Sequence, residues 1–442
     1  MENLKHIDRS RFEFVQMDES IHDTKFETKA IGYFGDALRR FSRNKSSVVA
    51  FFILLMIILL AIFVPITSQY KDLKVNPRLE YLSPRIPIVE KLGILNGYKS
   101  ISVRTTAIVS QEDPNYDSVK VATRVQYDTR FIRKQSDPYV VKSTGGDEYE
   151  YVDIEYDVYA YLAEPYVLKN VSPDQLIELM KLPGAILDME KITGSSVDSN
   201  NYNVLVDPAI VDGFDTNEYH IFGTDALGRD LWTMVWAGSR TSLIIGLFVA
   251  VVTISFGIVW GSVSGYYGGW VDLIMERFTE ILGGIPWLVV MTLMKLYFGG
   301  SVVTVAVSLV LTSWIGTASS VRSQFYRYKG REYVLASRTL GARDRRLIFK
   351  HILPNSLGPI VTSSVLIIPS AIFFESNVSY LGIGVTTETS IGSLLSSGQA
   401  LVTVYPHLTI APAIIISLLM IAFNLFGNGL RDALNPTLRG VE

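Results

Sequence analysis

The 442-residue sequence contains no cysteine. That excludes an outer domain stapled by disulfides, a thiol nucleophile and a Cys-ligated zinc or iron–sulfur centre. Histidine is scarce. The five are His6, His22, His220, His351 and His407, and no two are spaced to hold a metal from one helix. Charged residues make up only 19% against 48% hydrophobic, and the two kinds sit in separate blocks. A disordered chain and a basic nucleic-acid binder are thereby excluded, so no nucleic acid is expected as a partner. Nucleotide and hydrolase signatures are also missing. Gly93-Ile94-Leu95-Asn96-Gly97-Tyr98-Lys99-Ser100 has the wrong spacing for a phosphate-binding loop, and there is no GxSxG, HExxH or EF-hand pattern.

What is present is a set of apolar blocks. Val48 to Ile66 carries no charge and would reach roughly 28 Å as a helix, enough to cross a hydrocarbon core. It follows a polar stretch and lacks a cleavage site, so it reads as a retained anchor. Further blocks cover about 242–264, 281–298, 302–321, 360–380 and 408–426. Six spans put both termini on one side.

Short-loop basic residues set the orientation. Arg39, Arg40, Arg43 and Lys45 precede the first block, and nine Lys/Arg against two acids lie between Arg322 and Lys350. Both regions are expected in the cytoplasm, and both termini with them. The segment from about 68 to 239 is then outside, with about 17 basic and 26 acidic residues.

The divisions expected are a cytoplasmic segment 1–46 with an elbow helix, a first span 47–67, and an extracytoplasmic insert 68–219. An interfacial segment 220–241, a five-helix core 242–430 with a cytoplasmic loop 322–357, and a cytoplasmic tail 431–442 complete the chain. The insert holds Val-, Ile- and Tyr-rich strings such as YEYVDIEYDVYAYLA and SVKVATRVQYDTRFIRK, with turn punctuation at Ser143-Thr144-Gly145-Gly146, which predict a β-rich domain. Ser172 with Gln175 predicts a capped helix. Trp232 and Trp236, one turn apart, suit a short helix at the outer interface.

The loop REYVLASRTLGARDRRLIFKHILPN, Arg331 to Asn355, carries the strongest signal. It predicts a helix stopping at Gly341, then a basic helix from about Asp344 that ends at Pro354. Ala336, Ser337, Gly341 and Ala342 are small enough for another protein to approach closely. The neighbouring arginines suit acidic groups on that partner.

This loop resembles the EAA loop of binding-protein-dependent ABC importer permeases, closest to the peptide/nickel subfamily and its oligopeptide permease C subunits. Leu335-Ala336-Ser337, Gly341 and His351-Ile352-Leu353-Pro354 carry the resemblance, with Leu335 departing from the generic Glu. Asp36 to Lys45, Phe222 to Leu243, Gly265 to Pro286, Glu375 to Val385 and Phe423 to Pro436 extend it. The outer domain, about 70 to 215, departs from the resemblance, since typical members have a much shorter loop there.

The resemblance implies an all-α polytopic protein of the type I importer (MetI-like) fold with six transmembrane helices, plus the β-rich insert. It implies a non-catalytic subunit in the cell membrane that binds no cofactor or metal itself. ATP and Mg²⁺ would sit on two separate ATP-binding subunits. A homologous second permease, an extracytoplasmic peptide-binding lipoprotein, membrane lipid and a peptide substrate, expected to be an oligopeptide, complete the partners. Glu332 to Arg345 would be the coupling helix, with Gly341 making the turn and Ala336, Ala342, Arg338 and Arg343 in contact. Dipeptides or nickel chelates are the alternative cargo. A secondary transporter would need several charges within the spans, and Glu375 is the clear case. Glu375, Asn377 and Asn424 are candidates for the path, or Glu375 for pairing with a neighbour. Asn424 and Asn428 are expected to bond across helices. Lys295 is expected to snorkel. Asp272, Glu276, Arg277 and Glu280 predict a salt-bridged start to the third span.

Overall fold

The computed structural model describes residues 33–70, 75–109, 127–143, 147–192, 201–214 and 218–434. The turn at 144–146, the first half of the string from 118, and the ends 1–32 and 435–442 lie outside the described residues.

Helix α1 (Tyr33–Arg43) leads into α2 (Lys45–Thr67), which Asn44 caps by accepting from the Ser47 N–H. The insert follows. Its strands are β1 (Tyr98–Arg104), β2 (Ile108–Val109), β3 (Tyr127–Asp128), β4 (Ile132–Gln135), β5 (Tyr139–Lys142), β6 (Glu148–Asp157), β7 (Tyr166–Val171), β8 (Ile186–Lys191) and β9 (Tyr202–Val206). The ten-residue β6 is the hub of one sheet. β1 pairs it antiparallel from Tyr98↔Asp157 to Arg104↔Tyr151, while β4 and β5 also pair β6. A second sheet has the order β7-β9-β8. Three short helices, α3 (Val158–Ala163), α4 (Pro173–Met180) and α5 (Pro208–Val211), complete the region. The capping box at Ser172 and Gln175 starts α4 as predicted. Each sheet has its own small core, around Val152, Ile154 and Tyr159 for the first and Val204 and Val206 for the second.

The helical part comprises α6 (Leu231–Tyr267), α7 (Gly269–Gly283), α8 (Trp287–Phe298), α9 (Val302–Tyr328), α10 (Glu332–Thr339), α11 (Asp344–Arg346), a π-helical turn (Leu347–Ile352), α12 (Leu353–Ser364), α13 (Ile367–Tyr380), α14 (Ile391–Gln399) and α15 (His407–Leu434). Among the described residues α2, α6, α9 and α15 are long and apolar enough to cross a membrane. The pair α7 and α8, bent by 73°, adds a fifth if it is one span. The six predicted spans are thus not all matched by single helices. The block 360–380 is split at Val365 and Leu366. Pro369 explains the split: its ring would clash with the Val365 carbonyl in a continuous helix, but it is harmless in the first turn of α13.

The expected interfacial helix around the tryptophans is absent as a separate element. Asp230 caps α6 at Leu231 by accepting from the Thr233 N–H, so the second span begins eleven residues before the apolar block. Trp236 is buried and packs edge-on to Trp232 at 5.4 Å, within the main core beside Leu54, Ile57 and Leu419.

Gly257, Gly261 and Gly265 recur every fourth residue along α6. A Cβ on them would meet the Thr317 side chain at 2.7 Å, the Ala318 carbonyl at 2.3 Å and the Phe325 Cβ at 2.6 Å. Their absence of side chains lets α6 and α9 cross backbone to backbone, the packing that membrane helices use in place of a hydrophobic driving force.

Candidate functional site

The segment 331–355 forms an elbow at the end of α6 remote from the sheets. Helix α10 buries Val334, while the later piece buries Leu347, Ile348 and Ile352 against Tyr266, Val321 and Phe325. Between them the chain closes with paired bonds, Gly341 N–H to the Arg338 carbonyl at 2.9 Å and Ala342 N–H to the Ser337 carbonyl at 3.1 Å. This closure needs a left-handed residue, and Gly341 has φ 81°. No atom lies within 4 Å of where its Cβ would be. Backbone geometry, not crowding, calls for glycine there.

Glu332, Ala336, Arg338 and Arg343 are exposed, Ser337 and Ala342 half-buried. Ser337 donates to the Tyr333 carbonyl at 2.8 Å. Ala342 packs inward against the Tyr266 cluster, so of the two alanines expected at a partner surface only Ala336 is freely presented. At the tip, Leu340 is 88% exposed. The sequence reading passed over it, although an apolar residue just before a helix-ending glycine was the available signal.

Asp344 begins α11 and accepts a hydrogen bond from the Tyr266 hydroxyl at 2.6 Å, with the Tyr267 hydroxyl at 3.5 Å. Arg338 donates to the Tyr266 oxygen at 3.3 Å and lies over its ring. The last turn of α6 therefore holds both sides of the elbow. Pro354 does not end the second helix as expected. The π-helical turn Leu347–Ile352 precedes it, and Pro354 falls in the first turn of α12, where its missing N–H goes unnoticed.

Beside the elbow, Asp272 of α7 accepts both Arg322 nitrogens, at 2.6 and 2.7 Å, and the Tyr326 hydroxyl at 2.7 Å; Ser264 donates as well. Glu276 lies 3.6 Å from Arg322, and Arg277 pairs with Glu280. The predicted salt-bridged start of this segment thus ties α7 to α9 and α6.

The candidates within the bundle are not brought together. Glu375 is fully buried in α13, accepting from Ser242 at 2.7 Å, Ser379 at 2.8 Å and Ser376 at 3.4 Å. Asn377 donates to the Phe373 carbonyl and Asn424 to the Met420 carbonyl, each within its own helix. The expected bond across helices is not made by Asn424, which is exposed and bonds the carbonyl four residues earlier in its own helix. Lys295 donates to the Gly382 carbonyl at 2.6 Å, joining α8 to the end of α13.

The sequence family described as binding-protein-dependent transport system inner membrane component matches residues 257–440, and the N-terminal transmembrane domain of oligopeptide transport permease C matches 32–84. An oligopeptide transport system permease protein of Bacillus subtilis is 44% identical over 221 residues, 50% of this chain and 72% of that protein. A dipeptide transport system permease protein of the same organism is 43% identical over 50% of this chain and 69% of its own length. The corresponding oligopeptide permease of Haemophilus influenzae is 41% identical, over 49% and 70%. This chain belongs to the binding-protein-dependent transport permeases.

Residues 85–256 of this permease fall between the two family matches. They include the junction that joins insert to bundle. There His220 is buried, with Nδ1 2.8 Å from Asp230 and Nε2 3.7 Å from Glu218. Tyr70 lies against its ring, centroids 4.6 Å apart. Burial alone would lower the His220 pKa, but the hydrogen bond to Asp230 and the nearby Glu218 carboxylate outweigh it and hold the imidazole above its ordinary value. Asp230 is also the cap of α6, so the permease links its histidine to the start of its longest helix. The sequence reading missed this pair. Asp230 two residues before Trp232, with Thr233 three residues on, was the legible sign.

Proposed function

We propose that this permease is one of two transmembrane subunits of an ATP-driven importer of oligopeptides. In this reading an extracytoplasmic peptide-binding lipoprotein delivers the cargo. The elbow 332–345 is the coupling helix, seated in a cleft on one of two ATPase subunits that carry ATP and Mg²⁺. Both termini and the elbow face the cytoplasm, as the basic residues around them favour.

One observation carries the proposal. The elbow presents Leu340, Ala336, Arg338 and Arg343 to a partner while Asp344 and Val334 pin it to the ends of α6 and α9. A rigid hook held by the spans is what a pushing or pulling partner requires. When the ATPases close, two such hooks would be drawn together and the spans would open outward as a rigid body. Glu375, enclosed by serines, serves packing in this reading rather than cargo contact. The names of the similar proteins support peptides over nickel chelates, with dipeptides the second cargo reading.

The test is purification of the tagged chain from its native membrane in mild detergent, with mass spectrometry of its partners and peptide-stimulated ATPase activity. Recovery of a second permease, P-loop ATPases and a lipoprotein, with stimulation lost in Gly341→Asp, supports the reading. A chain recovered alone and without ATPase activity sinks it.

A further inference from the structure

A cleft of about 1400 Å³ lies at the end of the bundle opposite the elbow, between the insert and the start of α15. One wall is β1, every residue of which lines the cleft. β1 pairs with β6 on one side, and among the described residues no strand takes its other edge. Alternate residues of such a strand aim N–H and C=O groups away from the existing partner, so the free edge is a template for another extended chain. The seven residues offer roughly 23 Å of edge, the length of a six- or seven-residue peptide.

The facing wall is apolar and fixed. Val404, Tyr405, Ile410 and Ile414 form it. Tyr405 stacks on Tyr81 with centroids 4.2 Å apart and planes within 8°, and Tyr81 holds the unusual φ of 52°. Backbone strain of this kind persists only where the surroundings over-determine it.

The charge is one-sided. Lys99 and Arg104 line the cleft and, among the described residues, no carboxylate does, although the surrounding segment carries more acids than bases. Lys99 sits 4.8 Å over the Tyr405 ring and Arg104 3.9 Å over the Tyr149 ring, and neither is ion-paired among the described residues.

We propose that this cleft is an accessory peptide site. An extended peptide adds as a strand to the free edge of β1, sets alternate side chains against the α15 wall, and directs its terminal carboxylates to Lys99 at one end of the strand or Arg104 at the other, according to the direction in which it pairs. The inference rests on the peptide-importer reading above and gives the insert a task, holding cargo beside the bundle.

The test uses the full chain in phosphatidylcholine nanodiscs and the probe fluorescein-Thr-Val-Thr-Val-Thr-Glu, followed by anisotropy. Saturable binding is expected. It should weaken at least tenfold in the double variant Lys99→Glu, Arg104→Glu, and for a probe with Gln and a C-terminal amide. Lys99→Arg, Arg104→Lys should bind as the parent. Should the charge-reversed protein fail to fold, the probe carries the test: N-methylation of alternate residues along one edge should abolish binding, and along the other leave it intact. Absence of binding, equal binding of the two N-methylated probes, or parent-like affinity of a folded charge-reversed variant would each overturn the site. Probe displaced by phosphatidylglycerol but not by unlabelled peptide would assign the cleft to lipid headgroups instead. Uptake by the assembled transporter is measured in parallel. Peptide uptake without cleft binding refutes the site and leaves the importer reading standing, whereas cleft binding without any peptide-driven uptake does the reverse.

Discussion

The Tyr266 hydroxyl reaches Asp344 across 2.6 Å, and through that bond the last turn of the 37-residue α6 grips the first turn of α11. The opposite end of α6, roughly 55 Å away along the helix, is capped by Asp230 at the base of the insert. One rigid element therefore runs from the insert to the elbow.

Tyr266→Phe removes the donor and leaves the ring in its cluster. A hydrogen bond to a carboxylate at a partly exposed site is worth about 1–2 kcal/mol. The expected result is a small fall in melting temperature with a larger, several-fold loss of uptake per ATP hydrolysed. Uptake and ATPase rates measured on the same proteoliposomes check this. A proportional fall of both would mean that the bond only stabilises.

Gly341→Ala places a Cβ in open space but at φ 81°, so its cost of about 1–2 kcal/mol is conformational alone. Gly341→Asn, which tolerates the left-handed region, should lose less. The order Gly, Asn, Ala in coupled ATPase activity is the expected outcome, and an Ala variant as active as the parent would show that the elbow tolerates another conformation.

The elbow was legible because its signals are local. A glycine follows a short helix, and small residues interrupt a basic run. The first span was also read nearly to its bounds, 48–66 against Lys45–Thr67, because an uncharged block has one reading. Where the reading failed, a distant group had intervened. The start of α6 was placed at 242 because hydropathy alone marks apolar residues; the cap at Asp230 and the core that receives Trp236 are tertiary facts. Glu375 stood out as an acid in an apolar span, but its role depended on Ser242, 133 residues earlier.

Glu375→Gln should keep the cradle, since an amide can exchange donors and acceptors with rotating serine hydroxyls. Glu375→Leu leaves Ser242 and Ser379 unpaired, at about 1–3 kcal/mol each. Thermal unfolding in detergent should rank parent, Gln, Leu in decreasing stability, while KM for peptide uptake stays level across the folded variants. A KM raised severalfold in Glu375→Gln would place the carboxylate in the cargo path.

His220 makes the junction sensitive to pH. Its pKa is raised above the ordinary 6.5 by Asp230 and Glu218, so its stabilising effect is full below about 6.5 and fades as pH rises through the folded value. Tyr70 and Tyr159 also face the ring, and they stay neutral across this range because burial raises both. The melting temperature of the parent should exceed that of His220→Gln most at pH 5 to 6, with the gap closing toward pH 9. A gap that does not change with pH would reduce His220 to packing.

The most direct measurement exploits the absence of cysteine in the parent. Leu340→Cys places a single thiol on the exposed tip of the elbow, and Ser100→Cys places one on β1 as a control. Each is labelled in native membranes with a maleimide–benzophenone reagent and photo-cross-linked, so that no thiol is needed on the partner. The account predicts a product between Leu340→Cys and a P-loop ATPase, altered in yield by ATP, and none with that ATPase from Ser100→Cys. No ATPase adduct at Leu340→Cys despite efficient labelling, or equal adducts from both sites, would contradict the coupling role on which the proposed function stands.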